Sequence, residues 1–222
     1  MGLEKELTDF RVEHIRTMPA GRAELYDAKV EELRANFLIE NTPAMGSEAP
    51  EFALPNAQGK SVSLSQALRD GPVVVTFYRG AWCPYCNLQL RAYQRSLPEI
   101  TALGGRLMAV SAQLPDKSLF TVEQNALEFD VLSDVGNRVA RAFGLVYTLP
   151  DELRAALIAN NKALPLFNGD DSWELPVPAT YVIGRDRRIV LASVQIDYRQ
   201  RLAPEAIVAS LQNIRAAGTR TS

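Results

Sequence analysis

A short apolar run, 73–78, is followed within a few residues by a helical pattern, and this junction constrains the fold more than any other part of the sequence. The run is β-branched and aromatic, which is typical of a strand buried on both faces. From Pro84 onward apolar residues recur among polar ones, and proline is favoured in the first turn of a helix. A buried strand that leads into a helix predicts a sheet covered by helices.

The same alternation continues towards the C-terminus. Further strands are predicted at 106–112, 129–132, 179–183 and 189–194, and helices at 115–127, 137–143, 151–160 and 204–216. The stretch 161–178 contains several prolines and a glycine, and it predicts an irregular insertion. Parallel strand–helix–strand units followed by a hairpin and a last helix predict an α/β fold with both faces of the sheet covered.

Residues 3–40 carry a separate helical pattern. Apolar residues recur there at spacings of four, three and four: Tyr26, Val30, Leu33 and Phe37. Turn-forming residues at 41–50 predict a linker. The predicted domains are therefore an N-terminal helical arm with its linker, 1–45, and a main domain, 46–222. The apolar stripe of the arm must be covered by its own domain or by a second copy, and the second case predicts a homodimer.

Composition excludes several classes of function. Lysine and arginine number 24 and aspartate and glutamate 26, a net charge of −2 without a basic block, so nucleic acid is not a predicted partner. Neither a long apolar run nor a signal-like N-terminus is present, which predicts a cytoplasmic protein without a membrane partner. Two cysteines and one histidine, His14, are too few for a tetrahedral zinc site, so neither metal nor cofactor is predicted.

The two cysteines, Cys83 and Cys86, lie at the strand-to-helix junction and are separated by two residues. Unpaired N–H groups at a helix N-terminus stabilise a thiolate and lower the pKa of a thiol. Thiolates attack disulfides and peroxides, and this spacing allows a small disulfide ring to close. The pair therefore predicts a redox-active dithiol, and Arg79 is a candidate source of additional positive charge.

Several stretches of the chain resemble the thioredoxin superfamily and, within it, the peroxiredoxin-like branch of the alkyl hydroperoxide reductase/thiol-specific antioxidant family. They are GSEAPEFAL at 46–54, VTFYRG at 75–80, VLSD at 131–134 with VARAFG at 139–144, and VPATYVI at 177–183. The resemblance extends from residue 46 to about residue 217. It implies a thioredoxin-like fold, with a central mixed β-sheet flanked by helices, and an antioxidant oxidoreductase.

The resemblance also implies roles for the two cysteines. Cys86 falls at the position of the peroxidatic cysteine, while Cys83 stands where the family has threonine or serine, and Pro178 replaces the family's later arginine. In this order Cys86 reduces a hydroperoxide, becomes a sulfenic acid and condenses with Cys83 to a disulfide. Thioredoxin, glutaredoxin or glutathione is the implied reductant.

A second resemblance leaves the order of attack open. WCPYC at 82–86 followed later by Val177-Pro178 resembles thioredoxins, which place a cis-proline against the two cysteines, and Cys-Pro-Tyr-Cys is also the glutaredoxin motif. In that order Cys83 attacks a protein disulfide and Cys86 resolves the mixed disulfide. A dithiol–disulfide oxidoreductase is therefore the alternative function. A non-catalytic redox sensor is a third.

Four residues are predicted to line the substrate site: Arg79, Trp82, Tyr85 and Pro178. The aromatic pair among them forms an apolar lip or simply packs in the core. Farther along the helix, Gln89 either replaces an acid or amide of the family or is a solvated position.

Two later segments have only structural predictions. Asp134 is predicted to cap the helix that follows it. The charged run 197–201 is predicted to be a solvated surface.

Overall fold

The computed structural model describes residues 2–218, in which helices cover a mixed sheet. The helices are α1 Leu3–Thr17, α2 Arg22–Asn36, α3 Leu64–Asp70, α4 Pro84–Ala102, α5 Pro115–Asn125, α6 Arg138–Ala142, α7 Asp151–Ala159, α8 Pro165–Asn168 and α9 Pro204–Gly218, with a 3-10 turn at Ile39–Asn41. The strands are β1 Ala53–Pro55, β2 Ser61–Ser63, β3 Val73–Phe77, β4 Arg106–Ser111, β5 Asp130–Ser133, β6 Val146–Thr148, β7 Glu174–Pro176, β8 Ala179–Ile183 and β9 Ile189–Val194.

The central sheet has the strand order β5-β4-β3-β8-β9. Strands β3, β4 and β5 are parallel, whereas β8 pairs antiparallel with both β3 and β9. Successive residues of a strand point to opposite faces, and β3 is buried throughout: Val75 packs into the core on one face and Val74 into the core on the other. The predicted mixed sheet with a terminal hairpin is confirmed.

Two parts of the chain differ from the expectation. The stretch 161–178 is not wholly irregular, because it contains α8 and also β7, which pairs antiparallel with β6. The hairpin β1–β2 and the short helix α3 were not predicted at all. These strands have three residues each, too few for an alternating pattern to be recognised.

The N-terminal arm packs on its own domain. Helix α1 lies against α4, where Leu3 and Leu7 are buried in the core and Glu6 forms a 2.5 Å ion pair with Arg95. Gly21, with a φ of 76°, separates α1 from α2. The sequence predicted that the apolar stripe of the arm packs either on its own domain or on a second copy of the chain. The structure shows packing on its own domain, and a homodimer stays a prediction.

None of the helices within residues 2–218 combines the length and the apolar character needed to cross a membrane.

Candidate active site

The loop between β3 and α4 places both cysteines at the start of a helix. Cys83 is the N-cap residue of α4, and its carbonyl oxygen accepts hydrogen bonds from the N–H groups of Cys86 (3.1 Å) and Asn87 (3.2 Å). Gly80 has a φ of 143°, and a Cβ atom there would lie 2.4 Å from Trp82 Nε1. The close approach of the indole therefore requires glycine at this point of the loop.

Buried amide side chains hold the same loop through hydrogen bonds to its backbone. The Ala81 N–H donates to Gln113 Oε1 at 2.8 Å, and Asn87 Nδ2 donates to the Ala81 carbonyl at 2.7 Å. Gln113 Nε2 in turn donates to the Tyr78 hydroxyl at 3.2 Å. Because backbone groups of the loop are held by side chains from other elements, the positions of the two sulfurs are determined by the fold and not by the loop alone.

The Cys86 sulfur is completely buried and is surrounded by donors. The Arg79 backbone N–H lies 3.4 Å from Cys86 Sγ, and Arg201 Nη2 lies 3.3 Å from it. Burial favours the neutral thiol, but a hydrogen bond from Cys83 and the positive charges of Arg201 and Arg79 outweigh it, so the pKa of Cys86 is held well below its usual value. The geometry therefore favours Cys86 as the thiolate.

The Cys83 sulfur has a different environment. Burial, together with its hydrogen bond to Cys86 and the negative charge there, raises the pKa of Cys83 well above the usual value. Arg79 Nη1 approaches it only to 3.9 Å. The reduced pair is therefore best described as a Cys86 thiolate that accepts a hydrogen bond from the Cys83 thiol.

The Arg79 guanidinium is buried between two aromatic rings. Its Cζ atom lies 4.1 Å from the ring centroid of Tyr198 and 4.8 Å from that of Trp82. Burial of a cation is costly unless nearby groups compensate, and here two ring faces and a thiolate do so. The side chain consequently keeps its charge beside the sulfurs, as the sequence predicted for Arg79.

The charged run 197–201 is not the solvated surface that was predicted. Asp197 is buried and pairs with Arg199 at 2.7 Å, and Arg201 reaches Cys86 across 115 residues of sequence. The Arg201 guanidinium is oriented by two backbone carbonyls, those of Tyr198 and Gln200. Sequence reasoning missed this residue because an irregular segment carries no periodicity that would indicate which side chains turn inward.

The predicted lining residues divide into two groups. Arg79, Trp82 and Tyr85 line one pocket together with Cys83, whereas Pro178 is not among its lining residues. The predicted cis-proline is wrong, since every peptide bond described is trans. Instead, the buried Pro178 carbonyl accepts a 2.8 Å hydrogen bond from the Gln195 N–H and thus extends the pairing of β8 and β9.

Gln89 corrects another expectation. A solvated position is wrong, because the side chain is only 1% exposed and donates to Thr76 Oγ1 at 3.2 Å and to the Tyr93 hydroxyl at 3.1 Å. The Tyr93 hydroxyl also donates to the Leu202 carbonyl at 3.0 Å. This polar cluster beneath α4 therefore anchors the chain next to Arg201.

The predicted capping role of Asp134 is confirmed. Its two carboxylate oxygens accept hydrogen bonds from the backbone N–H groups of Val139 (3.0 Å) and Ala140 (2.8 Å), at the start of α6. The carboxylate thus acts on the helix and takes no part in the dithiol site.

The pocket next to Cys83, here called the Cys83 pocket, has a volume of about 310 Å³. Its walls come from the turn between α1 and α2, from α7 and the residues after it, and from Tyr198. His14 of the arm lies in its wall. Across residues 2–218 the structure brings together no group of three or more acidic, histidine or cysteine side chains suited to a metal ion.

A buried dithiol at the start of the helix that follows the central strand of a mixed sheet defines a thiol-redox protein with a thioredoxin-like fold. The chain belongs to the AhpC/TSA family, whose model matches residues 45–192. The match includes the dithiol and most of the sheet and excludes the helices of the arm.

Two relatives and one solved structure illustrate this membership. The putative peroxiredoxin bcp of Haemophilus influenzae is 36% identical over 105 residues, which are 47% of this chain and 67% of the relative. The chloroplastic peroxiredoxin Q of Gentiana triflora is 31% identical over 139 residues, which are 61% of this chain and 64% of the relative. The chain thus spans about two thirds of the length of these relatives.

The crystal structure of peroxidoxin BcpB from Mycobacterium tuberculosis superimposes with a TM-score of 0.61 at 23% identity, covering 78% of this chain and 98% of that one. This similarity confirms the predicted thioredoxin-like fold. The relatives named as peroxiredoxins, together with the family match, confirm the predicted resemblance and the class of thiol-dependent oxidoreductase.

Proposed function

We propose that this protein is a thiol peroxidase in which Cys86 is the peroxidatic cysteine and Cys83 the resolving cysteine. The observation that carries the proposal is the set of donors on Cys86 Sγ: the Arg201 guanidinium at 3.3 Å and the Arg79 backbone N–H at 3.4 Å. Reaction with a peroxide requires a thiolate, and these donors stabilise it at the sulfur that the fold buries most deeply.

The proposed cycle needs only the two cysteines and the groups around them. The Cys86 thiolate attacks one peroxide oxygen, the O–O bond breaks, and the other oxygen leaves as an alcohol or water after taking a proton. Cys86 is then a sulfenic acid. The Cys83 sulfur attacks it, an S–S bond forms, and the hydroxyl leaves as water with the Cys83 proton. The cationic guanidiniums of Arg79 and Arg201 stabilise the anions formed in these steps.

Burial of the site supports a small oxidant. Cys86 is 0% exposed and Cys83 is 1% exposed, so a protein disulfide has no direct access to either sulfur in this conformation. A hydroperoxide is small enough for a narrow route of entry. This burial favours the peroxidase over the dithiol oxidoreductase that acts on protein disulfides.

A second candidate function reverses the order of attack. Cys83, unlike Cys86, is among the residues that line the Cys83 pocket. This observation favours a reductase of small disulfides in which Cys83 is the nucleophile and Cys86 resolves the mixed disulfide.

Cysteine variants separate the two functions. Reduced Cys83→Ser and Cys86→Ser proteins are mixed with hydrogen peroxide, and the sulfenic acid is trapped with dimedone and located by mass spectrometry. The proposal requires adduct on Cys86 in Cys83→Ser and none on Cys83 in Cys86→Ser; the reverse pattern supports the second function. Stopped-flow oxidation by hydrogen peroxide and by glutathione disulfide adds a rate, and a peroxide rate no higher than that of a free thiol contradicts the peroxidase.

The proposed cycle also bears on the reductant and on the cellular compartment of the protein. A disulfide formed in every turnover needs a reductant, for which thioredoxin, glutaredoxin and glutathione are the proposed donors, and such donors operate in a reducing cytoplasm. Light scattering of the full chain during gel filtration tests the proposed homodimer, because a monomer mass contradicts it.

A further inference from the structure

The walls of the Cys83 pocket carry positive charge and no negative charge. Three cations and one histidine line it, and the described lining residues include neither aspartate nor glutamate: the four are Arg22, Arg79, Lys162 and His14. They come from α1, from α2, from the loop before α4 and from the segment after α7. Separate elements of the fold therefore bring like charges to one cavity.

No carboxylate of the described residues neutralises these basic side chains. Within residues 2–218, none of the four forms an ion pair with a carboxylate, although many of the other arginines and lysines do. Arg22 instead donates to the Ala156 carbonyl at 3.2 Å. Burial and, to a lesser extent, the positive charge of Lys162 lower the pKa of His14, so the histidine is mainly neutral near pH 7 and the charge of the pocket comes from the two arginines and the lysine. Cations that repel one another in a half-enclosed cavity favour a bound anion.

The remaining walls limit the kind of anion. Leucines of α7 and the segment before it form an apolar side, and Trp82 and Tyr85 form an aromatic one. The volume of about 310 Å³ is at the lower end of the range for small-molecule sites. A cavity with cationic, apolar and aromatic walls fits a small organic anion better than a bare inorganic one.

The sulfur that faces this cavity is the one best attacked in the disulfide form. An incoming thiolate reacts faster when the sulfur it displaces has the lower pKa. Attack on Cys83 displaces Cys86, whose thiolate is held by Arg201 and the Arg79 N–H. The pocket opens onto Cys83, while Cys86 is not among its lining residues.

We propose that the Cys83 pocket binds a small thiol bearing carboxylates, which reduces the Cys83–Cys86 disulfide by attack on Cys83. The inference rests on the proposed function for its place in the cycle and names the reductant class of that site. Carboxylates of the thiol pair with Arg22 and Lys162 in the pocket wall, and its sulfur is directed towards Cys83.

The proposed step balances over two thiols. The first thiolate attacks Cys83, an S–S bond forms between them, the Cys83–Cys86 bond breaks, and Cys86 leaves as a thiolate. A second thiolate of the same kind attacks the outer sulfur of this mixed disulfide and releases Cys83, which takes up a proton. Two electrons pass from two small thiols to the protein disulfide, and the small disulfide is released.

The test measures reduction alone. The full-length disulfide form is prepared with diamide, which requires no peroxidase activity, and its reduction is followed by tryptophan fluorescence. Glutathione is the carboxylate-bearing probe and 2-mercaptoethanol the uncharged one. We expect Lys162→Glu to lower the second-order rate constant for glutathione about tenfold and to change that for 2-mercaptoethanol less than about twofold.

Three further measurements test this interpretation. Lys60→Glu, an equal charge change at an exposed lysine away from the pocket, should leave both rates unchanged. Arg22→Gln should lower the glutathione rate in the same direction as Lys162→Glu by about threefold. S-methylglutathione, which has the carboxylates but no thiol, should inhibit reduction by 2-mercaptoethanol in the wild type and much less in Lys162→Glu.

Other outcomes overturn the proposal. Equal slowing of both thiols in Lys162→Glu means a structural effect, and equal glutathione rates in Lys162→Glu and wild type mean that the pocket does not recognise carboxylates. If Lys162→Glu instead slows only oxidation by a carboxylate-bearing hydroperoxide, the pocket receives the oxidant. Failure of the thiol peroxidase itself is seen separately, in the dimedone experiment.

Discussion

The two sulfurs lie one helical turn apart, and their surroundings differ in almost every respect. Cys86 is buried in the interior and is approached by Arg201 and by the Arg79 backbone, whereas Cys83 borders a cavity that the N-terminal arm builds in part. One side stabilises a charge and the other admits a ligand. A dithiol of identical residues is thus made chemically unequal by elements far away in the sequence.

The largest effect is expected from removing the positive charge beside Cys86. In Arg201→Gln a cation 3.3 Å from Cys86 Sγ is lost, so the pKa of Cys86 rises and less thiolate is present at neutral pH. We expect the rate of reaction with hydrogen peroxide at pH 7 to fall about ten- to hundredfold. Stopped-flow kinetics gives the rate, and thiolate absorbance at 240 nm gives the titration.

Arg185→Gln is the matched control, because this exposed arginine donates to the Arg69 carbonyl away from the dithiol. It should leave both measurements unchanged. An Arg201→Gln protein whose thiolate titrates as in the wild type would show that the Arg201 guanidinium does not act on Cys86.

The pH dependence of stability sharpens the comparison, since the two cysteines contribute with opposite sign. The pKa of Cys86 is lowered on folding, so its stabilisation is complete above the ordinary thiol pKa and is lost as pH falls through the lowered value. The pKa of Cys83 is raised, so its stabilisation is present below the ordinary thiol pKa and is lost as pH rises above it.

Between about pH 6 and 8 the Cys83 contribution is constant, and the Cys86 contribution grows with pH. The free energy of unfolding of reduced wild type, minus that of Cys86→Ser, should therefore increase across this range. Urea unfolding under anaerobic conditions measures it at each pH. A difference that decreases with pH would assign the thiolate to the other cysteine.

The positions of the two cysteines could be predicted from the sequence, whereas the charged group beside Cys86 could not. Cys83, Cys86 and the helix that follows them are adjacent in sequence, so residue type and periodicity place the sulfurs correctly at the start of α4. Arg201 comes from a segment without regular structure, and its distance from Cys86 depends on how β8, β9 and the chain after them pack. Local patterns do not contain that information.

Polar residues in the core show the same limit. Gln89 occupies a helical position that reads as solvated, because nothing nearby in sequence supplies its partners Thr76 and Tyr93. The cis-proline prediction failed for a related reason: Val177-Pro178 resembles the thioredoxin motif, yet its peptide bond is trans and the Pro178 carbonyl extends a strand pairing here. The fold class could be predicted from the sequence, whereas the electrostatics of the site required the tertiary structure.

A smaller effect tests how Arg201 is positioned. Tyr93→Phe removes the hydroxyl that donates to the Leu202 carbonyl at 3.0 Å, next to Arg201. We expect the free energy of unfolding to fall by about 1–2 kcal/mol and the reaction with hydrogen peroxide to become about two- to threefold slower. The pKa of Cys86 should move upward, as in Arg201→Gln but less.

Thr180→Val is the comparison for Tyr93→Phe, because the Thr180 hydroxyl belongs to the same buried polar cluster and hydrogen-bonds to Thr76 and Tyr93, whereas the Leu202 carbonyl accepts from Tyr93. It should reduce stability and leave the thiolate titration unchanged. If both variants shift the titration equally, the effect comes from the cluster as a whole and not from the Leu202 hydrogen bond.

The smallest effect on the reaction with hydrogen peroxide is expected from a substitution in helix α1 of the N-terminal arm. The Phe10 ring packs edge-on against Tyr85 and stacks on His14, with centroid distances of 5.0 Å in both cases. Phe10→Ala should cost about 1–2 kcal/mol of unfolding free energy and loosen the wall of the Cys83 pocket. Oxidation by hydrogen peroxide should stay within about twofold of wild type, while reduction by glutathione slows about two- to threefold.

Val12→Ala is the control on the same helix, because Val12 is 60% exposed and its truncation should change neither half of the cycle. Stopped-flow measurement of oxidation and reduction in the same preparation makes the two halves directly comparable. Helix α1 packs on α4, the helix that holds Cys86. If Phe10→Ala slows oxidation and reduction equally, the arm supports α4 as a whole and does not act on the Cys83 side alone.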